Sequence, residues 1–237
     1  MKAELYHKIE NYMLGCMKDS AHDKEHVYRV LYLALDIARY EKDVDVEVLI
    51  ISCLLHDIGR EEQFKNPDLC HAEIGSEMAY EYLLQEGFRE EKATHIKQCI
   101  SSHRYRSEKP PASLEAKILF DADKLDATGT MGIARTILYK AQVSEPLYSV
   151  DESRCVLDGS RDTQPSFFKE YKFKLEKVYD KFYTVRGTQI AKERQASAVA
   201  FYQSMLQEVQ ECHRLGNTAL DRILETEPTW DRAAFYE

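Results

Sequence analysis

No apolar stretch of this chain approaches the roughly 18 to 20 residues a helix needs to cross a bilayer, and no apolar h-region stands at its N-terminus. The expected organisation therefore has no helical membrane span, and a cytoplasmic location is the default. Basic charge is also short: 41 acidic residues face 32 Lys and Arg, a formal net charge of -9. Broad electrostatic binding to polynucleotide or to an anionic membrane surface rewards the opposite balance, so neither partner is expected. A small anionic ligand is compatible with the charge, because Arg60, Arg104, Arg106, Lys109, Lys124 and Arg135 lie close in sequence to the polar motifs described below. The six cysteines, Cys16, Cys53, Cys70, Cys99, Cys155 and Cys212, include no C-x-x-C pair, and read as reduced core residues. Internal repeats and low-complexity tracts are absent. Alternating β-branched segments bounded by tight turns are scarce, which argues against a sheet architecture.

What is present is helical periodicity. With 237 residues, 44% hydrophobic and 31% charged, the chain can bury one substantial core. It reads as an all-α, single-domain helical bundle over 1–213, with its motif region at 20–130 and closing helices over 165–212, followed by a tail or short helix at 214–237. Asp23 is placed to cap a helix through 41 on which His26, Val30, Leu33 and Ile37 share a stripe. A helix over 45–58 is apolar on nearly all sides and reads as central, with Gly59 as its C-terminal stop. Helices over 71–86 and 91–104 flank Gly87; Pro110-Pro111 then breaks the chain before helices at 113–127 and 131–142. Residues 144–165 read as a long loop, either a lid over the site or a surface insertion. Helices at 165–183 and 187–212 close the fold, and the stripe Phe167, Phe168, Tyr171, Leu175, Val178 and Phe182 reads as core in preference to a base-stacking platform.

Against this background His56-Asp57 is conspicuous, because it ends the apolar run Val48 to Leu55. An imidazole and a carboxylate buried side by side without partners would cost several kcal/mol, roughly a few for each polar group and more for a charge. A shared divalent ion resolves that cost. His26 upstream and the cluster Asp121-Ala122-Asp123-Lys124-Leu125-Asp126 downstream supply further ligands. Asp123 and Asp126 are three apart and share a helix face, one as a direct ligand and one as an acid behind it; Asp121 points elsewhere and is expected in solvent or beside a cation. The acids do not have calcium-loop spacing. Nitrogen and oxygen donors without thiolate suit Mn²⁺, Fe²⁺, Co²⁺, Zn²⁺, Ni²⁺ or Mg²⁺.

His26-x-x-Arg29-Val30, Leu55-His56-Asp57-Ile58-Gly59 and Ala122-Asp123-Lys124-Leu125-Asp126-Ala127 resemble, in order, the three blocks of the HD superfamily of metal-dependent phosphohydrolases. The resemblance implies that His26, His56, Asp57 and Asp123 bind the metal. His71-Ala72-Glu73, Ser102-His103-Arg104-Tyr105-Arg106, the segment from Asp126 to Arg135 and that from Thr184 to Arg194 are similar to the stand-alone bacterial HD hydrolases, so the likeness covers roughly residues 20–210. It implies hydrolysis of a nucleotide or another small phosphate ester or anhydride, with water as nucleophile activated by the metal. Asp57, Asp126 and Glu61, or Glu62 in its place, are the expected catalytic carboxylates. Lys124, His103, His71, Arg60, Arg104 and Arg106 are the expected substrate contacts. One ion per chain is expected; binding of a second by His71 or His103 is the alternative. The Gly-Tyr-Pro motif of the cyclic-di-nucleotide phosphodiesterases does not follow the His-Asp pair. A nucleotide-sensing module without turnover and a di-iron oxygenase of the same superfamily stay open, as does a homodimer.

Overall fold

The computed structural model describes residues 1–17, 24–104 and 109–225. It is all-α, as expected: among the described residues extended pairing is limited to one isolated bridge between Val150 and Val156. None of its helices is long and apolar enough to cross a membrane. The backbone falls into two compact units, residues 1–128 with 178–193, and residues 129–177 with the chain from 194 onward.

The first unit holds α1 (Ala3–Cys16), α2 (Lys24–Ala38), α3 (Val46–Leu55), α4 (Arg60–Lys65), α5 (His71–Gln85), α6 (Glu90–Ser101) and α7 (Leu114–Leu125). The expected cap Asp23 lies outside the described residues. On α2 the buried face is His26, Val27, Val30, Leu31, Ala34 and Ile37, so Ala34 takes the inward place expected of Leu33. α3 begins where the Asp45 carboxylate accepts the Val48 amide at 3.0 Å, and buries Val48, Leu49, Ile51, Ser52, Cys53, Leu54 and Leu55. It is the central helix of the unit, packed by α1, α2, α5, α6 and α7. The apolar run explains this position, since a helix hydrophobic all round is satisfied only when covered on every side.

Gly59 does not act as a left-handed helix stop; its φ is an ordinary -84°. Its missing side chain is what matters, because a Cβ there would stand 2.3 Å from the His71 carbonyl oxygen and 2.6 Å from the Gly75 nitrogen. The turn after α3 therefore presses backbone to backbone on the start of α5. Gly87, by contrast, has φ 81° and ends α5 as expected. Ser113 caps α7 by accepting the Ala116 amide at 3.1 Å, shortly after Pro110-Pro111.

Asp121 departs from expectation. It is fully buried, and its carboxylate accepts the Tyr183 amide at 2.9 Å, the Thr184 amide at 2.7 Å and the Thr184 hydroxyl at 2.7 Å. Burial nevertheless raises its pKa, since desolvation outweighs those bonds. Asp121 thereby holds the last residues before α10 (Val185–Glu225), and in place of the continuous helix expected over 165–183 stand α9 (Phe167–Phe173), a 3₁₀ turn (Leu175–Asp180) and a non-helical stretch. α10 also runs beyond the expected limit at 212, because the sequence to Glu225 holds no proline and its one glycine, Gly216, meets nothing that would stop the helix. The rest of the expected tail, 226–237, lies outside the described residues.

The second unit holds α8 (Gly129–Gln142), α9 and the larger part of α10. Its core is aromatic: Phe167, Phe168 and Tyr171 are buried, and Tyr171 stacks on Tyr202 at 3.9 Å between ring centroids. Residues 144–165 are ordered by local bonds, including Asp162, a buried acceptor from Gly159 and Ser166. The cysteine reading holds for Cys53 and Cys99, which are buried and free, whereas Cys155 and Cys212 are exposed.

Candidate metal centre

His56 caps the C-terminus of α3, and its Nδ1 lies 2.7 Å from the Cys53 carbonyl oxygen, an acceptor that fixes the proton on Nδ1. Burial pushes its pKa down to about 4, so the ring is neutral near pH 7 and Nε2 carries a lone pair. On α2, His26 donates from Nδ1 to Asp126 Oδ2 at 2.7 Å. Arg29, one turn along α2, grips Asp126 through Nε at 2.8 Å and Nη2 at 3.1 Å and keeps it an acceptor. His26 Nε2 is therefore a lone-pair atom as well.

These two nitrogens face each other at 3.3 Å. Asp123 Oδ1 lies 3.2 Å from His26 Nε2 and 4.0 Å from His56 Nε2. Asp57 Oδ2 lies 3.5 Å from the first and 3.6 Å from the second. Burial opposes ionisation of Asp57, but the Arg60 guanidinium foremost outweighs it and holds the carboxyl well below the usual range. Burial likewise opposes ionisation of Asp123, and the imidazoles beside it, His26 foremost, outweigh it and hold the carboxyl below the usual range. Four acceptors thus converge with no proton among them. An ion about 2.0–2.2 Å from each nitrogen and oxygen spaces neighbouring ligands by about 3 Å, so the set fits a divalent metal. Asp123, 23% exposed at its side chain, is the opening in a wall otherwise formed by His26, His56 and Asp57 at 5%, 0% and 4%.

A second cluster shares Asp57. Its other oxygen, Oδ1, lies 2.9 Å from Arg60 Nε, 3.6 Å from His71 Nε2 and 3.7 Å from His103 Nε2. His103 donates from Nδ1 to the Ile100 carbonyl at 2.6 Å, and His71 from Nδ1 to Gln63 Oε1 at 2.8 Å. Burial, reinforced by Arg60, pushes the His71 pKa down to about 3. Its Nε2 is buried without a hydrogen-bond partner. Asp57, His71 and His103 thus form a second group with metal-ligand spacing, next to that of His26, His56 and Asp123.

The remaining expected residues divide. Arg60 holds Asp57. Arg104 donates to Cys70 Sγ at 3.4 Å. Lys124 is buried, donates to the Lys181 carbonyl at 2.6 Å and lies 4.4 Å from the Phe182 ring centroid; burial lowers its pKa to about 8. Glu61 is 38% exposed on α4 with its carboxylate 2.7 Å from Lys65, and Glu62 pairs with the same lysine. Arg106 lies outside the described residues. Arg29 and Gln63 carry no role in the sequence expectations. Arg29 had a signal, three residues from His26 on one helix face; Gln63 had none, because its contact depends on how α4 turns toward α5.

The HD domain family model matches residues 24–128. The Bacillus subtilis protein YpgQ is 27% identical over 196 residues, spanning 81% of this chain and 86% of YpgQ. A predicted HD superfamily hydrolase from an uncultured Thermotogales bacterium has a solved structure 30% identical to this chain, with TM-score 0.56 over 87% of this chain and 92% of its own. The crystal structure of YpgQ in complex with ADP matches at TM-score 0.67 and 24% identity over 86% and 95%. On its motifs, its fold and these relatives, the chain belongs to the HD superfamily.

Proposed function

We propose that this protein is a metal-dependent phosphohydrolase acting on a nucleotide or another small phosphate ester or anhydride. The observation that carries the reading is the buried, proton-free convergence of His26, His56, Asp57 and Asp123. His26, His56, Asp57 and Asp123 would hold a divalent ion, which would supply acidification of a water molecule and neutralisation of charge on phosphoryl oxygens. The chain's own residues prepare the site. Asp126 and Arg29 fix the His26 tautomer, the Cys53 carbonyl fixes that of His56, and Arg60 orients Asp57. Glu61, engaged by Lys65, gains no support as a proton acceptor. Membership of the family supports hydrolysis, and the ADP complex of YpgQ supports a nucleotide.

For His71 and His103 the arrangement favours a second ion over a phosphate-facing role, because the buried His71 Nε2 is a lone pair aimed at a carboxylate oxygen. The same cluster meets the ligand requirement of the di-iron oxygenase reading. One assay separates the two: release of phosphate and pyrophosphate from ribo- and deoxyribonucleotides by chelated and Mn²⁺-reloaded protein, wild type against Asp57→Ala. Metal-dependent release that the substitution abolishes is the expected result. A reloaded wild type that releases nothing, and takes up oxygen when loaded with iron, overturns the phosphohydrolase reading.

A further inference from the structure

Residues between α6 and α7 border a cleft of about 340 Å³, near the lower end of the range of small-molecule sites. Three cations, Arg104, Lys109 and Lys181, line it together with the rings of Phe120, Phe182 and Tyr183. The chain as a whole carries a net charge of -9, so cations gathered here run against the overall balance and favour an anion locally. The rings ask for something different: a flat, apolar partner.

Residues of the cleft and its wall stand next in sequence to residues of the metal centre. Arg104 follows His103 and bonds Cys70, the residue before His71. Lys124 follows Asp123, and its ammonium lies 4.4 Å from the Phe182 centroid and 5.7 Å from that of Phe120. The aromatic wall is also held in place. Buried Asp121 accepts both the Tyr183 and Thr184 amides, Lys124 donates to the Lys181 carbonyl, and Phe120 meets Tyr183 edge to face at 5.1 Å. Gly187 permits that anchorage, since a Cβ there would stand 2.7 Å from Asp121 Oδ2. Yet the wall is not closed core: Tyr183 is 48% exposed and Phe182 is half-buried, unlike Phe167, Phe168 and Tyr171, with which the periodicity had grouped Phe182. A fixed, partly open pair of rings beside cations is preorganised to bind a base attached to phosphate.

We propose that this cleft takes the nucleoside of a nucleotide whose phosphates reach the His56–Asp57 cluster, with the base stacked on Phe182 and Tyr183 and with Arg104 and Lys109 facing the phosphate chain. The proposal rests on the phosphohydrolase reading for the phosphate end alone.

Calorimetry of the Mn²⁺-loaded protein with non-hydrolysable probes tests it without turnover: α,β-methylene diphosphates of the four common nucleosides, and methylenediphosphonate, which carries the phosphate chain and no base. The expected result is a nucleoside analogue that binds the wild type about ten-fold or more tightly than methylenediphosphonate, with that ratio falling about ten-fold in Tyr183→Ala and in Phe182→Leu. Tyr183→Ala removes an exposed ring and leaves the backbone bond to Asp121, so it stays readable if Phe182→Leu fails to fold. Methylenediphosphonate binding with no advantage for any nucleoside, or an advantage that both variants keep, overturns the cleft alone. Binding of neither probe class by the loaded wild type overturns the cleft and the phosphohydrolase reading together.

Discussion

The ligand role proposed for His26 depends on what stands behind its ring. Asp126, gripped by Arg29, takes the Nδ1 proton and leaves Nε2 bare toward His56 and Asp123. Asp126→Asn keeps the shape and removes the charge, and its amide can present N–H where the carboxylate accepted. Mn²⁺ affinity is expected to fall about 10- to 100-fold, read by competition with a chelator; unchanged affinity would show that Asp126 does not set the tautomer. At this scale much of the site was legible. His56-Asp57 stood out as two polar residues closing an apolar run, and helix phase paired Asp123 with Asp126. Asp121 is the exception, for a physical reason: phase shows it leaving the shared face, but not that the backbone of residues 183 and 184 comes back to meet it.

Among the elements, the turn between α3 and α5 does most to assemble the centre. Gly59 lets that turn touch the first residue of α5, which brings His71 to the side of Asp57. Gly59→Ala forces a Cβ against the His71 carbonyl, a backbone atom that cannot swing aside. A loss of about 1–3 kcal/mol in unfolding free energy is expected by analogy with overpacked cores, measured by urea denaturation. Wild-type stability in that variant would mean the two backbones can separate freely. Helices with a strong apolar signature or a capping residue, such as α3 and α7, were readable within a few residues. The break expected between 183 and 187 was legible, but not that the first helix ends at Phe173, because the helical spacing of Phe167, Phe168, Tyr171, Leu175, Val178 and Phe182 runs on unbroken. Gly59 likewise was legible as a boundary, while its reason, close approach in place of a left-handed turn, belongs to tertiary structure.

For the molecule as a whole, buried thiols set a limit on stability in base. Burial pushes the Cys99 thiol from its ordinary 9.0 to about 11, and raises Cys53 as well. An unfolded chain loses these protons first, so stability is fully present below pH 9.0 and falls as pH climbs toward the folded value, by about 1.4 kcal/mol per pH unit for one thiol. Denaturation measured from pH 9 to pH 11 is expected to show a shallower decline in Cys99→Ala than in the wild type, by about that slope. Parallel declines would contradict the burial argument. The all-α class was legible in the whole-chain composition and periodicity, and no helix among the described residues is long and apolar enough to cross a membrane. The division into two compact units was not, since no linker-like stretch of proline, glycine or serine marks it.

The most direct test of the metal centre is equilibrium Mn²⁺ binding to chelator-treated protein, wild type beside Asp57→Ala and His71→Ala. Asp57 offers one oxygen to each cluster. Two ions per wild-type chain, one in His71→Ala and a severe loss in Asp57→Ala are expected. Binding that survives Asp57→Ala intact, or no binding by the wild type, would contradict the assignment of these residues as ligands.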